Sequence, residues 1–303
     1  MNKRFGIIGS GSMVATQTCE QLEQSRDATL TKADLHGETA IDITNVESTA
    51  NFFEQYGDNF EWVILFSAYT DVGEAEKQRQ DGEKSPCWKI NVEGVKNVTD
   101  ACKKHGKKLI FISTDFVFDG EKGPYSEEDH VAEDPSKVTF YGLTKIEGER
   151  YIQDNLEDGQ YLILRIAYPY SGVNTGKDDL ILKDVHWYEQ GQPYGLFEDQ
   201  SFTPTYILDI AKAIIRILEN NQAGIFHVAS PSTATQYEFA LELLRKVKGE
   251  NISLKTASLE EAIKNGAYFR PLKGGLKVDK ITSLGFASTD WRKGIELSIP
   301  NLT

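Results

Sequence analysis

Cysteine is scarce in this chain: Cys19, Cys87 and Cys102 are the only three among 303 residues, with no Cys-x-x-Cys pair. A disulfide framework and a zinc knuckle are thereby excluded, and a reducing cytoplasm is the expected compartment. Long hydrophobic runs are missing as well. The longest clean apolar run, Trp62 to Phe66, falls far short of the roughly 20 residues that span a bilayer. The opening MNKRFGIIGSG enters a strand without the apolar stretch and small-residue cleavage site of a secretory signal. Positive charge is in deficit: 33 Lys and Arg against 46 Asp and Glu give a net charge of −13. That argues against nucleic acid or an anionic membrane surface as the main partner. The five histidines are scattered, without metal-ligand spacing.

What is present is globular. Hydrophobic residues make up 40% and charged residues 26%, too apolar for a disordered chain. Short apolar runs at Arg4–Ile8, Thr29–Ala33, Trp62–Phe66, Lys108–Ser113 and Tyr161–Ile166 read as strands buried on both faces. Helical patterns at Ser12–Gln24, Val46–Tyr56, Cys87–His105 and Tyr141–Asn155 alternate with them. This order predicts an α/β fold with a doubly wound, Rossmann-type parallel sheet and a ligand crevice at the strand C-termini. A dinucleotide-binding domain is expected over residues 1–168, with a returning element near 201–228. A smaller substrate-binding lobe is expected over 169–303.

Gly9-Ser10-Gly11-Ser12-Met13 follows the first strand and opens the first helix. Backbone amides at a helix N-terminus suit a pyrophosphate, and glycine allows its close approach. Val14 stands where GxGxxG has its third glycine. A bare GxG is as often a strand–helix turn without ligand. Asp34, about 20 residues on, is placed to meet a ribose hydroxyl, which leans towards NAD. Asp42 and Ile43 are candidates for the adenine side; either acid is equally a solvated turn residue.

The sharpest chemical signal is Tyr141-Gly-Leu-Thr-Lys145. Positions i and i+4 share a helix face, so the ammonium is expected to lower the phenol pKa and ready it for proton transfer beside a hydride shift. With 13 tyrosines, chance supplies about one such match, so the weight lies in context. The motif follows Ser113-Thr114-Asp115 at the C-terminal end of the fourth strand, where doubly wound sheets place their chemistry. Thr114, or less readily Ser113, is the candidate to hold a substrate carbonyl. A turn hydroxyl and a packing tyrosine are the plainer alternatives.

At these residues the chain resembles the extended short-chain dehydrogenase/reductase superfamily, and within it the dTDP-4-dehydrorhamnose reductase family. The resemblance runs through Asp42-Ile-Thr, Ser67-Ala68-Tyr69-Thr70, Asn91-Val92, STDFVFDG at 113–120, Tyr141-Gly-x-Thr-Lys145-x-x-Gly-Glu149, Arg165, Asp199-Gln200, Arg270-Pro271 and Trp291. It implies Thr114, Tyr141 and Lys145 as the catalytic set, with Asn91 in a proton relay to the lysine. It implies Ser67, Ala68 and Tyr69 beside the nicotinamide, and Thr70, Asp115, Phe116, Val117 and the stretch Arg165–Tyr170, with Tyr168, towards the substrate. The implied reaction is reduction of a 4-keto group on a nucleotide-linked 6-deoxyhexose by NADH or NADPH. The chain departs from the family at Val14, Leu65 and Gly73, and in SGVNTGKDDL.

Two other readings stay open at this point: an NAD-dependent sugar-nucleotide epimerase or dehydratase, and a non-catalytic cofactor-binding regulatory subunit. Arg270 is a candidate for holding a substrate diphosphate. The acidic run Glu127-Glu128-Asp129 reads as a solvated face, and a magnesium site there is unsupported. The expected partner is a small nucleotide sugar, with a homodimer as the expected assembly.

Overall fold

Six short apolar segments form one parallel sheet because each presents hydrophobic side chains to both faces. In chain order they are β1 (Lys3–Ile8), β2 (Ala28–Ala33), β3 (Trp62–Leu65), β4 (Lys108–Thr114), β5 (Tyr161–Ile166) and β6 (Gly224–His227). The computed structural model describes residues 3–25 and 28–302. Spatial order is β2-β1-β3-β4-β5-β6, with all pairs parallel. The order reverses between β1 and β3, which sets the ligand crevice at their C-terminal ends. The expected fold class is therefore the observed one.

Two cores follow from strand alternation. On one face Phe5, Ile7, Ile64, Ile110, Leu162 and Leu164 pack under the helices Met13–Gln24 and Leu208–Glu219. On the other, Ile8, Val63, Leu65, Leu109, Phe111 and Ile163 pack under Val46–Tyr56, Gly94–Lys104 and Ile152 of the helix Phe140–Asn155. A third cluster around Tyr170, Phe202, Phe239 and Trp291 lies in the C-terminal half. Cys19, Cys87 and Cys102 are free and buried. Among the described residues, no helix is long and apolar enough to cross a membrane.

Helix starts follow side-chain caps. Ser12 accepts from the Ala15 amide, Asn45 from Ser48 and Thr139 from Gly142. The helix expected over Cys87–His105 is not continuous. A turn at Pro86–Trp88 leads into a π-helical stretch at Lys89–Glu93 before the regular helix Gly94–Lys104. Periodicity alone did not show this extra residue per turn, which sits around Asn91.

The segment 270–278 is stitched between two others. Lys273 N–H donates to Gly120 and Gly123 N–H donates back to Lys273, while Ser201 N–H donates to Leu272 and Gly274 N–H to Ser201. Gly120, at φ 72°, lies so close that a Cβ would stand 2.4 Å from Pro271 Cα. This seam brings Arg270 to the crevice.

Arg165 is a correction to the expectation that it faces the crevice. It is 2% exposed and points into the protein, where Nε donates to Glu149 Oε1 at 3.0 Å and Nη2 to Oε2 at 2.6 Å. Its Nη1 faces His227 Nε2 at 3.4 Å. Burial pushes His227 down to about 3, with Arg165 adding to the effect, so the imidazole is neutral and structural. We predict that Glu149→Gln lowers unfolding free energy by about 3–5 kcal/mol, because it leaves a buried guanidinium uncompensated. Replacing both partners by Met should stay much nearer the parent in the same denaturant titration. Equal losses in the two variants would contradict the ion-pair account.

Candidate active site

The glycine turn between β1 and the first helix is tight. Gly9 has φ 84°, and a Cβ there would stand 2.6 Å from Ser67 N and Oγ. The ends of β1 and β3 thus approach each other with no room for a side chain. Ser10 and Ser12 frame the turn, and Ser12 caps the helix. Val14, in place of the third glycine, packs with Met13 against the main core. That substitution leaves the turn itself intact. Asp34 joins it: Oδ2 accepts from Gly11 N–H and Oδ1 from Leu35 N–H, both at 2.7 Å. Asp42 instead serves its own turn, accepting from the amide and hydroxyl of Thr44. Ile43 is buried against Gly94, and its carbonyl accepts from Asn97.

Ser67, Ala68 and Tyr69 form the loop after β3, and Asn91 holds that loop in place. Its Oδ1 accepts from Tyr69 N–H at 2.8 Å, and its Nδ2 donates to the Tyr69 carbonyl and to Thr144 Oγ1, both at 3.0 Å. Its side chain is engaged by Tyr69 and Thr144 and so acts as a clamp on that loop. The geometry of the π-helical stretch explains it: the added residue turns Asn91 inward beneath the loop.

Thr114 and Tyr141 meet at the end of β4. The Thr114 hydroxyl lies close enough to the Tyr141 phenol to favour its charged form; it accepts from Phe116 N–H and donates to Asp115 Oδ1, both at 3.3 Å. Tyr141 is 9% exposed, Thr114 7% and Lys145 1%. Lys145 Nζ donates to the Ile112 carbonyl at 2.7 Å and lies 3.8 Å from the Phe111 ring centroid. Burial pushes its ammonium down to about 7, against an upward pull from Glu149.

The expected lowering of the phenol pKa is not found. Burial, then the charge of Asp115, push Tyr141 above the ordinary tyrosine value. Asp115, 3% exposed, is itself raised by burial to about 7. Only the Thr114 hydroxyl pulls the other way, and desolvation outweighs it. A phenol held protonated suits a proton donor better than a base.

Phe116 and Tyr168 line the same place, with ring centroids 6.0 Å apart and Phe116 also 6.0 Å from Tyr141. Val117 is fully buried in the main core, which leaves it no face for a ligand. Tyr168 accepts a bond from Gln200 Nε2 at 3.2 Å, and it feels both Asp115 and Arg270. Arg270 lies over the Tyr268 ring and bonds its hydroxyl. Thr70, exposed, receives a bond from Lys177 Nζ at 2.8 Å. Sequence reasoning missed Lys177, Gln200, Tyr268 and Thr144 as neighbours of the site. Thr144 and Gln200 fall inside segments already noted; Lys177 carries no local signal. A separate cavity of about 460 Å³, lined by Asn45, Ser48, Asn51, Phe52, Gln55 and Tyr56 among others, shares no residue with this group. Among the described residues, no cluster of three or more His, Cys, Asp or Glu is arranged to hold a metal ion.

Comparison with known proteins gives the family and the fold. Residues 4–303 match the model of the RmlD substrate binding domain family. The chain is 27% identical over 310 residues to dTDP-4-dehydrorhamnose reductase of Aggregatibacter actinomycetemcomitans, covering 97% of each. The fold matches the structure of dTDP-4-dehydrorhamnose reductase from Bacillus anthracis in complex with NADP, with a TM-score of 0.84, 24% identity and 99% coverage of both chains. It also matches a dTDP-4-dehydrorhamnose reductase from Clostridium acetobutylicum, with a TM-score of 0.81, 26% identity and 99% coverage of both. The chain belongs to the RmlD substrate binding domain family, on the extended short-chain dehydrogenase/reductase frame.

Proposed function

We propose that this protein is an oxidoreductase that uses NADPH or NADH to reduce the 4-keto group of a nucleotide-linked 6-deoxyhexose. The observation that carries the reading is the meeting of Thr114 and Tyr141 at the end of β4, with Lys145 one turn further on. Similarity to dTDP-4-dehydrorhamnose reductases along nearly the whole chain supports the substrate class. The residue range 1–168, with the returning β6, forms the dinucleotide-binding part of this proposal, and 169–303 the substrate lobe.

The residues at the glycine turn fit a dinucleotide, since Gly9 leaves a close-approach surface at a helix N-terminus. Gly9, Ser10, Gly11, Ser12 and Met13 would hold its pyrophosphate, and Asp34 would face the adenosine ribose. Asn91 fixes the backbone of Tyr69, which orders the loop on the nicotinamide side. A bound nicotinamide supplies the hydride. Tyr141 gives its proton to the substrate carbonyl oxygen, converting C=O plus hydride plus proton into CH–OH. Thr114 aligns that oxygen, and the charge of Lys145 favours the phenolate left behind.

A second reading draws on Asp115. Its buried carboxyl, raised to about 7, is suited to proton donation in a sugar-nucleotide dehydratase. Following the nicotinamide absorbance separates the two: the reductase consumes reduced cofactor in proportion to ketosugar, and a dehydratase or epimerase shows no net change.

For the reductase, Tyr141→Phe should lower kcat by about 100-fold or more while NADPH affinity stays within about twofold. Turnover at the parent rate would reject Tyr141 as the donor. The pH profile is a second check. Lys145 must be cationic to assist, and its value near 7 means that kcat/KM should fall as pH rises through about 7. Asp115→Asn should retain that limb, since Asp115 is the other group near 7. A profile level up to pH 9, or a limb lost with Asp115, would exclude Lys145 as its source.

A further inference from the structure

Reduction of a carbonyl needs a hydride at the carbon and a proton at the oxygen about 1.2 Å away. The two donors must therefore hold one position relative to each other, and a displacement of about 1 Å can cost 100-fold in rate. In this fold they belong to different segments. On the reading above, the loop 67–70 borders the nicotinamide, while the first turn of the helix Phe140–Asn155 carries Tyr141. The two lie far apart in sequence, so tertiary contacts must set their spacing.

Thr144 stands at the junction. It is fully buried, and its hydroxyl donates to the Tyr141 carbonyl at 2.7 Å. Helix geometry pairs a carbonyl with the amide four residues on, which here is Lys145. Thr144 thus grips the turn that joins the two reacting side chains. A hydroxyl has one proton to give and two lone pairs to fill. The proton goes to Tyr141. One lone pair takes Asn91 Nδ2 at 3.0 Å, and the other faces Cys87 Sγ at 3.8 Å. With the Thr144 proton committed, the thiol is the donor in that last contact.

The bonds continue into a closed circuit. Asn91 holds the Tyr69 backbone through both ends of its amide. The Tyr69 hydroxyl accepts from Gln78 Nε2 at 2.8 Å, and Gln78 Oε1 accepts from the Cys87 amide at 3.0 Å. Tyr69, Asn91, Thr144, Cys87 and Gln78 therefore form a ring, with Tyr141 attached to it through Thr144. Polar networks whose members are all satisfied are rigid. Without the Thr144 hydroxyl, the Asn91 Nδ2 proton that it accepts has Cys87 Sγ, at 3.6 Å, to turn to. That turn loosens the hold on Tyr69.

We propose that Thr144 is a positioning residue, locking the loop 67–70 and Tyr141 in one register so that hydride and proton reach adjacent atoms together. This rests on the reductase reading above. It adds a buried residue that acts through Tyr141 and Asn91.

The test compares Thr144→Val, Thr144→Ala and Thr144→Ser in the full-length protein, with dTDP-4-dehydrorhamnose and NADPH as substrates. The Val and Ala variants should lose about tenfold or more in kcat, while ketosugar KM and NADPH affinity stay within about twofold. Their deuterium isotope effect, with NADPH labelled at the transferred position, should rise as transfer becomes the slow step. Thr144→Ser restores the hydroxyl and should stay within about twofold of the parent. Thr99→Val is the control for buried threonine loss: Thr99 donates to the Val95 carbonyl at 2.7 Å in the helix Gly94–Lys104. It should lower thermal stability comparably and leave kcat unchanged. Hydrogen exchange reads the link without turnover, and the Tyr69 amide should exchange about tenfold faster or more in the Val and Ala variants. Parent-like kcat in those variants, an equally impaired Ser variant, an equal fall in Thr99→Val, or unchanged exchange at Tyr69 would each overturn the proposal. If the parent reduces no ketosugar yet the Tyr69 amide loosens in the variants, the link stands and the reductase reading fails. If the ketosugar is reduced and neither kcat nor exchange moves, the reductase stands and the link fails.

Discussion

Three polar links, each one helical turn from the next, tie the helix Phe140–Asn155 to the end of β4. Tyr141 meets the Thr114 hydroxyl, Lys145 donates to the Ile112 carbonyl, and Glu149 accepts from Ser113 Oγ. Such close approach needs small residues on the helix face. At Gly142 a Cβ would stand 2.2 Å from the Phe116 carbonyl oxygen, and at Gly148 one would stand 3.2 Å from the Asn91 carbonyl. The helix is thereby held at one height and one rotation against the sheet. Its first turn then delivers the phenol to the crevice and its third turn a carboxylate to the buried guanidinium.

Burial fixes the chemistry of that stack. Taking charges out of water costs several kcal/mol each unless they are paired. Glu149 and Arg165 meet that cost in each other. Lys145 has only a carbonyl, an aromatic face and a carboxylate already engaged, so its ammonium is weakened. Tyr141 has a hydroxyl and an acid as its neighbours, so its proton is held more firmly. The two shifts run in opposite directions for the same reason: each disfavours the charged form.

Much of the fold was legible because buried parallel strands leave an unambiguous mark: β1 through β5 and the returning β6 lie where short apolar runs fall. The glycine turn and the Thr114–Tyr141 pair were legible because their placement at strand ends follows from topology. Other features depend on contacts that local patterning does not encode. The π-helical stretch at Lys89–Glu93 answers to the loop that Asn91 clamps, not to helical periodicity. Arg165 sits on a strand whose apolar neighbours gave no hint that a charge would turn inward to Glu149. Val117 reads as part of a functional segment, yet its side chain is core. Lys177 lies in a loop without any motif, and only the fold brings it to Thr70.

The most direct measurement is a structure of the protein with NADP and a nucleotide sugar bound. The account predicts the sugar C4 oxygen within about 2.6–3.2 Å of both Tyr141 Oη and Thr114 Oγ1, with the helix Phe140–Asn155 unmoved against β4. A C4 oxygen placed on Asp115 alone, or a sugar bound away from the end of β4, would contradict it.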